Sequence, residues 1–116
     1  RLSGIVSVDL VDKGFSEIDY QDFITVEYRV VNLSDNGIRA LKGTVEHNDL
    51  FDETIMNVGL TIDDEIGAGD TLIWSGTLDY NQFDDEKRAF RSKEKKDIKT
   101  VWVPEKFIFS DGSTLE

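Results

Sequence analysis

The stretch Phe23-Ile24-Thr25-Val26-Glu27-Tyr28-Arg29-Val30-Val31-Asn32-Leu33 decides the fold. Ile24, Val26, Tyr28 and Val30 recur at every second position against Thr25, Glu27 and Arg29. A period of two puts alternate side chains on opposite faces of an extended chain, so this run is a strand with one apolar and one solvated face. It closes at Ser34-Asp35-Asn36-Gly37, where Asn-Gly supplies the positive-φ positions of a tight turn and predicts a hairpin into the next strand.

That next strand runs from Ile38 through Ala40, Leu41, Gly43 and Val45 toward His47, with Leu50 and Phe51 tucked under the turn that follows. Upstream, Ile5, Val6, Val8, Leu10 and Val11 mark a strand over residues 2–11, ended by Asp12-Lys13-Gly14. Downstream, Ile55, Val58, Leu60 and Ile62 mark a strand over residues 53–62, and Gly67-Ala68-Gly69-Asp70 is a second turn. Leu72, Trp74, Gly76 and Leu78 then alternate with Thr71, Ile73, Ser75 and Thr77 in a strand that carries a core Trp. Residues 81–96 break the rhythm. Asn81 is a cap, Asp84, Asp85 and Glu86 suit a helix N-terminus, and Lys93, Lys95 and Lys96 suit its other end. One short helix, or a charged loop with a helical turn, is predicted there, with Phe83 and Phe90 on its buried face. Strand character resumes with Ile98, Val101 and Val103 as core candidates, is interrupted by Pro104, and continues through Phe107-Ile108-Phe109 to the Ser110-Asp111-Gly112-Ser113 turn and a last short strand.

About seven strands roughly ten residues apart, with one short helical insertion, predict an all-β sandwich with Greek-key connections, a single domain over residues 1–116. The composition agrees: 39% apolar residues can fill a core, and three alanines are too few for a helix bundle. The first residue, Arg1, is not a methionine and no signal-like segment follows it, as expected of a processed product or a piece of a longer chain.

Charge and motifs bound the function. A net charge of −11 repels phosphate backbones and anionic head groups, so no nucleic acid is expected as a partner. No apolar run approaches the roughly 18 residues of a transmembrane helix. With no cysteine and one histidine, His47, read as a strand residue on a solvated face, a nucleophilic triad has little to draw on. Neither a Gly-rich phosphate cradle nor an HExxH or GxSxG motif occurs, so no catalytic residue and no cofactor is expected. Asn32, Ser34, Asn36 and Gly37 match the start of an EF-hand calcium loop, but the position of its bidentate Glu is Gly43. The weak metal candidates are Asp63, Asp64, Glu65 and Asp70 around the glycine turn. Asn32-Leu33-Ser34 also fits the glycosylation acceptor pattern.

The distribution of charge says more. Seven of the thirteen basic residues, Lys87, Arg88, Arg91, Lys93, Lys95, Lys96 and Lys99, share one segment with two acids, Glu94 and Asp97, leaving it at +5 in a chain of −11. This is the expected docking patch for an acidic partner, another copy of the chain included, or for a lipid surface; the structural alternative is the solvated face of a helix. A ligand-binding alternative, for carbohydrate or calcium, would use exposed aromatics such as Tyr20, Tyr80 and Trp102 with the acids of residues 63–70.

The run from Tyr28 to Asn36, the following Ile38-Arg39-Ala40-Leu41-Lys42-Gly43-Thr44-Val45, then Asp49-Leu50-Phe51-Asp52, then Ile66-Gly67-Ala68-Gly69-Asp70 before a Trp-bearing strand resembles the immunoglobulin-like accessory domains of bacterial lipoproteins and secreted proteins. The resemblance covers residues 24–80, and Asp52 stands where a glycine often follows the Phe. It implies an immunoglobulin-like sandwich, an extracytoplasmic location (secreted, periplasmic or lipid-anchored), and a non-catalytic protein-interaction or structural module whose partner is a protein or envelope component.

Overall fold

The computed structural model describes residues 4–116. Seven strands form two antiparallel sheets: β1 (Val6–Ile18), β2 (Gln21–Asn32) and β5 (Thr71–Asp79) in the order β1-β2-β5, and β3 (Ile38–Asn48), β4 (Thr54–Ile62), β6 (Lys99–Phe109) and β7 (Thr114–Leu115) in the order β4-β3-β6-β7. One buried cluster takes Ile24, Val26, Tyr28 and Val30 from β2, Leu41 and Val45 from β3, and Val58, Leu60 and Ile62 from β4. The two sheets thus close on a common core, a sandwich-like arrangement in which each strand buries one side of its pleat. Trp74 is half-buried against that core, its ring stacked on Tyr28 at 5.8 Å.

Several expectations need correction. β2 and β3 lie in different sheets, so residues 33–37 form a crossover and not a hairpin. Gly37 does not take a positive φ. The hairpin joins β1 to β2 instead. β1 does not stop at residues 12–14; a register shift between Leu10 and Asp12 absorbs one residue, and the strand continues until Ile18 pairs with Gln21. The two residues between them, Asp19 (φ 51) and Tyr20 (φ 67), are both left-handed, as a two-residue primed turn requires.

β6 passes through Pro104 without breaking. The register slips between Lys42 and Gly43, so the proline sits at an irregularity, where a missing N–H is tolerated. Gly43 is needed at this point: a Cβ would lie 2.5 Å from the Val103 carbonyl oxygen and 2.6 Å from the Trp102 ring. Trp102 therefore faces inward, and Val101 and Val103, expected in the core, are exposed.

The insertion is α1 (Asp85–Ser92) followed by a 3₁₀ turn (Lys95–Asp97). Asp84 caps it, accepting hydrogen bonds from the amides of Glu86 and Lys87, while Asn81 accepts from Phe83 one turn earlier. Phe90 is fully buried as expected; Phe83 precedes the helix and is exposed. β4 and β5, nine residues each, are outer strands of their sheets.

Candidate functional site

Three connections gather at one end of the sandwich: the β1–β2 turn, the β3–β4 loop and the β5–β6 segment that contains α1. The last is held to the others by named contacts. Lys13 of β1 donates to the Arg91 carbonyl at 3.0 Å. The Arg91 guanidinium lies 3.5 Å over the Phe15 ring and 5.1 Å from that of Tyr80, and these two rings meet edge to face at 5.3 Å. Lys99 bonds Asp52 of the β3–β4 loop at 3.1 Å. Asp52 takes φ 65 where a glycine would be unstrained, and Asp49 braces the same loop by accepting from the amides of Phe51 and Glu53.

The basic segment divides by role. Arg88 is paired with Asp85 at 2.7 Å, Lys96 with Glu94 at 3.7 Å and Lys99 with Asp52, and Arg91 is spent on the two aromatic rings. Lys87, Lys93 and Lys95 have no acidic partner within ion-pair distance among the described residues. Four of the seven residues are therefore engaged, two within the segment and two with other parts of the fold, while Lys95 is exposed and Lys87 and Lys93 are half-buried without an ion-pair partner among the described residues.

The same end exposes large apolar side chains, of which only Tyr20 was expected at the surface. Tyr20 is 99% exposed, Phe51 86% and Phe83 82%, and Ile18 and Leu50 are more than half exposed. Leu50 and Phe51 do not tuck under their turn. The available signal was local: Tyr20, Leu50, Phe51 and Phe83 sit in connections beside acids, as in Asp49-Leu50-Phe51-Asp52 and Phe83-Asp84, where the polar neighbours hold the backbone at the surface.

The remaining candidates do not assemble. Glu65 accepts from the Ser110 hydroxyl at 2.6 Å, and among the described residues no three His, Cys, Asp or Glu side chains come together as a metal site, so Asp63, Asp64, Glu65 and Asp70 are turn residues. Asn32 is fully buried, and its amide donates to the carbonyls of Asn36, Ile66 and Gly67 while its oxygen accepts from the Ser34 amide and hydroxyl. Both the calcium-like spacing and the glycosylation triplet are absorbed by this network, which leaves no free amide for a glycan. Tyr80 and Trp102 are packed and half-buried, so of the three aromatics only Tyr20 projects into solvent.

His47 is not on a solvated face; it is fully buried. The Met56 carbonyl, 2.9 Å from Nδ1, can only accept, so Nδ1 carries the proton and Nε2 accepts from the Tyr28 hydroxyl at 2.9 Å. Burial holds the imidazole pKa below its usual value, partly offset by the bond to Met56, and the same desolvation pushes the Tyr28 phenol upward.

No family model and no curated protein matches this chain. Among solved structures, the crystal structure of the Northeast Structural Genomics Consortium target SoR45 is similar with a TM-score of 0.46 and 10% identity, covering 99% of this chain and 82% of that one. No helix among the described residues is long and apolar enough to cross a membrane.

Proposed function

We propose that the chain is a non-catalytic protein-interaction module of a bacterial cell-envelope or secreted protein. In this reading it has an immunoglobulin-like sandwich and meets its partner with the end that carries α1. The observation that carries the proposal is the exposure of large apolar side chains at three connections that the strand order puts toward the same end: Tyr20, Phe51 and Phe83, with Ile18 and Leu50 adjacent in sequence. Large apolar groups left exposed toward one end of a domain favour a contact surface. Lys87, Lys93 and Lys95, in the same β5–β6 segment as Phe83, favour an acidic partner.

The strand order supports the immunoglobulin-like assignment. A constant-type domain places its strands as 1-2-5-4 and 3-6-7, and here the fourth strand pairs with the third instead of the fifth. The envelope location rests on the sequence resemblance. The absence of catalysis is supported by His47, whose two ring nitrogens are both committed to the core.

Photo-crosslinking residues placed at 51 and 83, with a control at the exposed Ile73 of β5, test the surface in cells that express the chain. The expected result is one common adduct from positions 51 and 83, absent at 73 and weakened by Lys87→Glu with Lys95→Glu. No adduct at either loop tip removes this reading. Protease accessibility of the chain in intact cells tests the location.

A further inference from the structure

The chain has one histidine, and it lies in the core directly beneath α1. Tyr28 of β2 and Met56 of β4 bond its two nitrogens, and the Phe90 ring of α1 stands edge-on to it at 4.8 Å. Its partners across the β3 ladders, Met56 and Thr100, carry no charge, and Glu46 beside it on β3 points to the opposite face. On the helix side the Lys13 ammonium lies 5.3 Å from the Phe90 ring and the Arg91 guanidinium sits over Phe15, while the helix acids Asp84, Asp85 and Glu86 lie at its N-terminal end, Asp84 accepting from the amides of Glu86 and Lys87 and Asp85 pairing with Arg88. No carboxylate among the described residues is within ion-pair distance of the imidazole.

Protonation would therefore disrupt the site. Nε2 would become a donor facing a hydroxyl, and either the two protons collide or the Tyr28 proton loses its acceptor. The new charge would have no counter-ion. Of the elements around the ring, α1 is the one able to yield, because it buries a single side chain, Phe90, and otherwise holds by the Arg91 and Lys13 contacts.

We infer that His47 is an acid-operated latch: taking up a proton unseats Phe90 and releases α1, with its basic side chains, from two sheets that stay formed. This deepens the proposed contact surface and rests on that reading only for what the released helix touches. Burial disfavours the proton in the closed state, whereas an opened ring titrates near the ordinary histidine value of about 6.5, so opening is coupled to uptake of one proton. The open population then rises by up to roughly tenfold between neutral pH and a point one unit below that value.

Amide hydrogen exchange at pH 7.5 and 5.5, corrected for the intrinsic rate, tests the latch. The expected result is a several-fold loss of protection across α1, unchanged protection at the centres of β2 and β3, and no pH dependence of α1 in His47→Gln. Equal protection of α1 at the two pH values overturns the latch, and so does a parallel loss in β2 and β3. Should His47→Gln fail to fold, the single imidazole resonance of the wild type serves alone: its titration must track the loss of α1 protection, and a titration that leaves α1 protected overturns the latch. The crosslinks at positions 51 and 83 are read at neutral pH, so the latch and the contact surface stand or fall separately.

Discussion

Asn32 and His47 sit toward opposite ends of the sandwich, and both are polar side chains with no exposed surface. Each ties a connection to the sheets. Asn32 links the β2–β3 crossover to the β4–β5 loop through the Asn36, Ile66 and Gly67 carbonyls, and the backbone of the two loops is joined again by Asn32 N donating to Asp70 O at 2.9 Å. His47 links β3, β2 and β4 and supports the helix through Phe90. The difference is chemical. An amide donates two protons and accepts at its oxygen over the whole working range of pH, so the Asn32 end is fastened permanently. An imidazole serves as acceptor only while it is neutral, so the His47 end is fastened conditionally.

The contrast can be broken most severely at Asn32. Asn32→Asp keeps the shape but points a carboxylate at three carbonyl oxygens. It should lower stability by about 3–5 kcal/mol at pH 7 in urea unfolding, as expected for a buried charge without partners. At the other end, Tyr28→Phe removes only the donor to Nε2, and should cost about 1–2 kcal/mol by the same measurement. A loss at Tyr28 equal to that at Asn32 would make both ends alike.

Titration sharpens the comparison further. The native imidazole pKa is depressed relative to the unfolded value, so the contribution of His47 is fully present above about pH 6.5 and is lost as pH falls from there toward the native pKa. Wild-type stability should decline across that window by at most about 1.4 kcal/mol per pH unit, and the decline should vanish in His47→Gln above the carboxylate range. The smallest effect is expected on the contact surface: Phe51→Ser should leave stability within about 0.5 kcal/mol, because the ring is packed against nothing it would lose. A larger loss would mean that the β3–β4 loop belongs to the core.

Alternation in the sequence was enough to find the strands at β2 and β5, because their inward residues follow one another without a slip, and most of β4, whose one irregularity lies at Ile55. It failed where backbone irregularities change the parity. The slips between Ile38 and Ala40 and between Lys42 and Gly43 hid which residues of β3 and β6 point inward, which is why Val101 and Val103 were expected inside and Trp102 outside. His47 was readable in principle, since Leu41, Gly43, Val45 and His47 share one parity, but histidine is so often at the surface that composition outweighed position. The Asn-Gly pair marked the end of a strand without the positive-φ turn expected of it and without naming what it joins. Whether two strands pair or part into separate sheets depends on the long-range fit of the core, and no local signal carries that. Asp19-Tyr20 was missed as a turn because neither residue is glycine, although Asp tolerates the left-handed region. The apolar loop tips were legible only as residues, not as a surface, until the fold brought three connections together.

The two outer strands β4 and β5 raise a matter of colloidal behaviour. Residues 54–62 carry no charge and residues 71–79 carry only Asp79, and neither strand has the lysine or proline that commonly keeps an open edge from pairing with another molecule. Protection against such pairing falls to the rest of the chain, whose charge of −11 keeps copies apart at neutral pH and low salt. Acid weakens that repulsion by neutralising carboxylates, and salt weakens it by screening. The charges that oppose such pairing therefore lie almost entirely outside the edges they guard.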